Sequence, residues 1–262
     1  MTVIEAVILG VVQGLTEFVP VSSSGHLVLV ERLFAIKAPF VFASLINLGT
    51  FVALIVYFHK RLVQMTVDVI RHKNYKLARN IILSSLPVGL LGFFFEDFFA
   101  KGFIQHPLTV AIMLAVIGVL MIVVEHLPKL GAVKRADDLQ PKQASLIGVV
   151  QALSLIPGTS RSGSTMIIGR MFGLNFKQAA EYSFLLSIPV MFGVLLKALF
   201  SSAGISFIQH NFLAFAVSNI VAFATGMFAV SFMLRYLAHG NFVVFGWYRL
   251  VLASAIIVVL LL

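Results

Sequence analysis

The chain has 262 residues, of which 60% are hydrophobic and only 11% charged, whereas a soluble domain carries about a quarter charged residues. Its net charge of +9 does not read as a nucleic-acid surface. Of the 19 Lys and Arg, six fall between Lys60 and Arg79 and four between Lys129 and Lys142, in gaps between apolar runs, the pattern of loops on the inner side of a membrane. With no cysteines, disulfides, thiolate nucleophiles and sulfur-ligated metals are excluded.

Residues 1–35 open with an apolar run and no basic segment followed by a small-residue cleavage site, so no signal peptide is expected. The run is interrupted by T-E-F-V-P-V-S-S-S-G-H (16–26) and then resumes. Full-length apolar spans follow at roughly 39–58, 79–97 and 108–126, then a basic linker at 127–142. Residues 143–173 repeat the interrupted pattern, and three more spans follow at roughly 178–199, 212–235 and 241–262. Each stretch of roughly 20 apolar residues is long enough to cross a bilayer as a helix. The loop near 97–107 holds only Lys101 beside Glu96 and Asp97, and the loop near 201–211 has no Lys or Arg. With the two basic loops inside, both basic-poor loops and both termini fall outside.

The halves of 1–35 and 143–173 are too short to cross alone. Backbone freed at their breaks is tolerated at membrane depth only when buried in protein or lining a watery cavity. Both therefore read as re-entrant helix–loop–helix hairpins. They also resemble each other: Gly10, Gln13, Leu15, Ser24 and Gly25 align at one offset with Gly148, Gln151, Leu153, Ser162 and Gly163. Each hairpin is followed by three spans, so the second copy enters from the opposite face, an inverted-topology repeat. The expected fold is a single all-α polytopic membrane domain over 1–262. It has about six spanning helices and two hairpins, with repeat one at 1–126, a cytoplasmic linker at 127–142 and repeat two at 143–262.

The chemistry gathers at the two breaks. Gln13 and Glu17 share one helix face, with Gly10 and Gly14 allowing another backbone to approach. Ser22, Ser23, Ser24, Gly25 and His26 open the returning half-helix. Serines are ordinary caps, but a carboxylate and an imidazole at membrane depth are expensive and mark function. The second break, P-G-T-S-R-S-G-S-T (157–165), offers hydroxyls, glycines and Arg161 before a helix expected to start near Ser164. Free N–H groups beside an arginine fork suit a phosphate. The first copy has Glu17 where the second has Leu155, and the first offers no basic counterpart to Arg161. One loop would handle the proton and supply a nucleophile while the other neutralises phosphate charge, which suits phosphoryl transfer from a membrane-resident substrate. A purely structural Glu17–Arg161 pair would also satisfy the charges.

The segments G-V-V-Q-G-L-T-E-F-V-P-V-S-S-S-G-H, P-G-T-S-R-S-G and E-Y-S-F-L-L-S-I-P-V resemble the signatures of the undecaprenyl-diphosphate phosphatase, or bacitracin-resistance, family, and the resemblance runs over essentially the whole chain. It implies a bacterial plasma-membrane hydrolase that converts undecaprenyl diphosphate into the monophosphate carrier of cell-wall synthesis. Its pocket would open to the outer side, and bacitracin would compete indirectly by binding the substrate. By motif position the family's acidic sites fall on Gln13 and Glu17, its serine and histidine on Ser23 and His26, and its phosphate motif on Ser160, Arg161, Ser162, Gly163 and Thr165. Gln13 stands where many relatives have Glu and cannot be a base.

On this reading Glu17, Ser23, His26 and Arg161 are catalytic. Gln13, Ser22, Ser24, Gly25, Gly158, Thr159, Ser160, Ser162, Gly163 and Thr165 form the surrounding phosphate site. Ser23 is the preferred nucleophile, activated by His26 or Glu17, with His26 itself or water as alternative attacking groups. Divalent-cation dependence is associated with the family. Mg²⁺ or Ca²⁺ bridging Glu17 and the diphosphate is compatible with the sequence, although no metal cage is evident. The competing class is a polyprenyl-phosphate transporter or flippase, which shares the inverted-repeat architecture but needs no nucleophile.

Overall fold

The computed structural model describes residues 1–95 and 106–261. Glu96, Asp97 and Lys101, which enter the topology argument, lie outside that range, as do the end of the 79–97 span and Leu262.

Among the described residues all regular structure is helical. The first hairpin is α1 (Val3–Phe18) and α2 (Ser23–Leu33). A first span follows as α3 (Phe40–Leu45) and α4 (Asn47–Tyr57), then α5 (His59–Ile70), α6 (Lys76–Phe94) and α7 (Pro107–Val123). The second hairpin is α8 (Pro141–Ala152) and α9 (Arg161–Met171), followed by α10 (Phe176–Phe200), α11 (Ser202–His210), α12 (Phe212–Tyr236) and α13 (Val243–Leu261). The stretches Phe40–Tyr57, α6, α10, α12 and α13 are long and apolar enough to cross a membrane. At 17 residues, α7 is shorter but still reaches about 25 Å at 1.5 Å per residue.

The element ends follow from local chemistry. Helix α1 opens on a capping box in which Thr2 Oγ1 accepts from the Glu5 N–H (3.2 Å) and Glu5 Oε2 from the Thr2 N–H (2.7 Å). It stops one residue before Val19, whose extended backbone is what a following proline imposes. Helix α8 starts with Pro141 as its first residue, slightly earlier than the 143 read from the sequence. The expected continuous span at 39–58 breaks at Ile46. Asn47 Nδ2 donates back to the Ala43 carbonyl at 2.8 Å, a side-chain bond that competes with the helix's own ladder.

The packing pairs helices from opposite halves of the chain. Helix α1 packs along α12 and α8 along α6, while α7 packs on α13 and α4 on both α10 and α12. Gly10 and Gly148 make the first two contacts close: a Cβ on Gly10 would lie 2.7 Å from the Ser218 carbonyl oxygen, and one on Gly148 2.6 Å from that of Ser84. Small residues serve this purpose wherever helices associate in lipid. Arg61 joins Asp137 at 2.7 Å, so the segments that carry the two basic clusters meet on one face. The Met1 ammonium meets Asn211 Oδ1 at 3.4 Å, at the far end of α12.

Candidate active site

The two hairpin tips are built alike. Ser22 and Ser160 both have positive φ, 76° and 69°, a conformation that costs a non-glycine residue roughly 1 kcal/mol or more. Each caps its half-helix by accepting from the N–H three residues on, Gly25 (3.4 Å) and Gly163 (3.1 Å). The second half-helix therefore starts at Arg161, not near Ser164 as the sequence suggested, because Ser160 already supplies the cap. Ser23 and Arg161 become the first residues of their half-helices. At that position backbone N–H groups make no intrahelical bond.

These two residues converge on one carboxylate. Ser23 Oγ donates to Glu17 Oε2 at 2.6 Å, and Arg161 Nη2 donates to Glu17 Oε1 at 2.6 Å. The Glu17 and Arg161 side chains are only 10% and 13% exposed. Gln13 Nε2 donates to the same Oε2 at 3.0 Å and to Asn47 Oδ1 at 2.8 Å, the latter an interhelical bond. Arg161 Nη1 also reaches the Ser187 carbonyl at 3.4 Å.

His26 lies apart from this chain of bonds. Its Nδ1 is 2.8 Å from the Ser22 carbonyl and its Nε2 is 2.7 Å from the Tyr248 hydroxyl. A carbonyl only accepts, so Nδ1 carries the proton, and in the neutral imidazole Nε2 accepts from Tyr248. The two rings stack with 6° between their planes.

The remaining hydroxyls divide. Ser24 is exposed beside Ser22, at 3.3 Å. Ser160 and Ser162 are buried and 3.2 Å apart. Thr165 is buried and held by Ser183 Oγ (2.7 Å) and the Arg161 carbonyl (2.9 Å). Thr159 is fully buried, and its hydroxyl has no hydrogen-bond partner. Gly158, at φ 92°, turns its carbonyl to Arg249 at 2.6 Å. Thus Gln13, Glu17, Ser23 and Arg161 form one bonded group, while Ser22, Gly25, Ser160 and Gly163 shape the loops around it.

The described residues do not make a metal cage: no group of three or more His, Asp or Glu comes together. Both oxygens of Glu17 already receive N–H or O–H donors. Glu181 pairs with Lys177 at 3.9 Å. It lines a cavity of about 500 Å³ with Tyr57 and Arg235 that contains none of the site residues.

Tyr248 and Arg249 were missed in the sequence reading, which took 241–262 as a plain span. The available signal was an arginine inside an apolar run, W-Y-R (247–249), since an ionisable residue at membrane depth is a functional candidate by default.

Comparison with known proteins places the chain among relatives of one kind. The chain is 36% identical over 252 residues to an undecaprenyl-diphosphatase of Nitrosomonas europaea, covering 95% of this chain and 92% of that protein. It is 36% identical over 266 residues to one from Acetivibrio thermocellus, covering 98% and 97%, and 32% identical over 268 residues to one from Enterococcus faecalis, covering 98% and 96%. The family model described as bacitracin resistance protein BacA matches residues 6–255, and the chain belongs to that family.

Proposed function

We propose that this chain is an undecaprenyl-diphosphate phosphatase of the bacterial plasma membrane, releasing inorganic phosphate and the monophosphate carrier. The observation that carries the reading is the single carboxylate, Glu17, bonded at once to a serine hydroxyl and an arginine. A lipid-phosphate transporter would use Arg161 but has no need of a serine hydroxyl aligned on a base.

Ser23 is the nucleophile and Glu17 its general base, because both ring nitrogens of His26 are engaged elsewhere. Glu17 takes the Ser23 proton as Oγ bonds to the terminal phosphorus. The bridging P–O bond breaks, and undecaprenyl phosphate departs with that bond's electron pair. Arg161 and the free N–H groups of the half-helix ends stabilise the charge that gathers on the phosphoryl oxygens. Glu17 passes its proton to solvent, then takes one from the attacking water and returns it to Ser23 Oγ as the phosphoserine is cleaved. No step is assigned to a metal.

The two halves are an inverted repeat, supported by the matched serine caps and by glycine contacts across the halves. The pocket opens to the outer side, away from the basic loops, and both termini lie outside. Phosphate release from undecaprenyl diphosphate by purified protein in detergent, where no gradient exists, tests the reading. Turnover by the wild-type chain and none by Ser23→Ala is expected. Movement of prenyl phosphate in proteoliposomes without hydrolysis would replace it with transport.

A further inference from the structure

Arg249 is fully buried in the middle of α13. Among the described residues no carboxylate pairs with it, and every acceptor it meets is a backbone carbonyl. Nε donates to Leu114 at 3.2 Å and Nη1 to Pro20 at 3.2 Å. Nη2 faces Gly158 at 2.6 Å, Thr159 at 3.1 Å and Met113 at 3.4 Å. Pro20 is in the tip of the first hairpin, Gly158 and Thr159 are in the tip of the second, and Leu114 and Met113 belong to α7. One guanidinium therefore ties together both tips and the neighbouring span.

Burying a cation is costly even after relaxation, so five carbonyls gathered around one guanidinium need a return. The carbonyls themselves supply part of it, because loop carbonyls at membrane depth also need donors. A small apolar residue would satisfy none of them. A lysine would keep the charge but offer three donors from one point, whereas arginine presents a planar fork of five. The tethered carbonyls lie just upstream of Ser22–Ser23 and Ser160–Arg161, the residues that bring nucleophile and phosphate ligand onto Glu17.

We propose that Arg249 is a positioning residue that sets the two half-sites in register by holding the Pro20 and the Gly158–Thr159 carbonyls on one guanidinium. It acts through the loops rather than on the substrate. The inference rests on the phosphatase reading for its effect on turnover, but its geometry can be measured without any activity.

The chain has no cysteines, so spin labels can be placed by Leu15→Cys and Leu153→Cys, at exposed or half-exposed positions on the two hairpins. Pulsed electron resonance should give a narrow label-to-label distance distribution in the otherwise wild-type chain and a broader or shifted one with Arg249→Lys. In the unlabelled Arg249→Lys protein, kcat should fall by about 10², the loss that an ångström-scale misplacement produces, with KM changed less than about threefold. Arg249→Met should lose turnover equally or more, and Arg249→Lys should not rescue it.

An unchanged distance distribution, or near-normal kcat in Arg249→Lys, would overturn the proposal. So would unfolding of both variants, which would make Arg249 a residue of global stability. If the wild-type chain released no phosphate, the phosphatase reading would fail, while the distance measurement would still decide whether Arg249 registers the tips.

Discussion

In the proposed mechanism Glu17 is the residue on which the chemistry turns, since its two oxygens meet the serine and the arginine separately. Glu17→Gln keeps the size and one acceptor but removes the base, so turnover on undecaprenyl diphosphate should fall by about 10² or more. Arg161→Ala should cost a similar factor in kcat, and near-normal phosphate release by either purified variant would dismantle the site as drawn. Tyr248→Phe tests the outlying pair. It removes the donor to His26 Nε2 but leaves Ser23, Glu17 and Arg161 in contact, so turnover should drop by less than about tenfold. A loss as large as that of Glu17→Gln would return the base role to His26. Glu17 and Arg161 were both legible in the sequence, because a charge stands out in an apolar run. Their direct bond was one of two readings there, since a one-dimensional pattern does not say which side chains meet.

At the scale of elements, the hairpin tips carry both the strain and the proposed site. The positive φ values of Ser22 and Ser160 are compensated by caps onto Gly25 and Gly163, which aim residues 23 and 161 at the same carboxylate. Gly158 is the tightest of the tip glycines Gly25, Gly158 and Gly163. It sits at φ 92°, and a Cβ there would lie 2.5 Å from the Val110 carbonyl oxygen. Gly158→Ala should therefore destabilise the protein by about 1–3 kcal/mol, read as a lowered unfolding midpoint in detergent. A midpoint equal to wild type would mean that the loop relaxes freely. The expectation that α9 starts near Ser164 went astray at this scale, because a left-handed serine cap is invisible to hydrophobic periodicity.

For the molecule as a whole, the placement of charge predicts its orientation. The basic segments around Lys60–Arg79 and Lys129–Lys142 meet through Arg61 and Asp137, while Met1 and Asn211 mark the opposite end. In the cysteine-free background, a membrane-impermeant maleimide should label His210→Cys in intact cells. It should label Lys73→Cys only after permeabilisation. The reverse pattern would invert the topology and place the pocket mouth inside.

The sequence by itself determined the class, the spans and the two interrupted segments, because the cost of placing charge and broken backbone in lipid is written directly into composition and periodicity. It also marked Glu17, Ser23 and Arg161 as candidates, since a carboxylate, a serine cluster and an arginine stand out at membrane depth. Only the tertiary structure decided that Ser23 and Arg161 share Glu17, that His26 turns to Tyr248, and that Arg249 joins the two tips. Those pairings link residues as far apart as Pro20 and Arg249. They depend on how helices from opposite halves of the chain pack, which no local pattern of residues encodes.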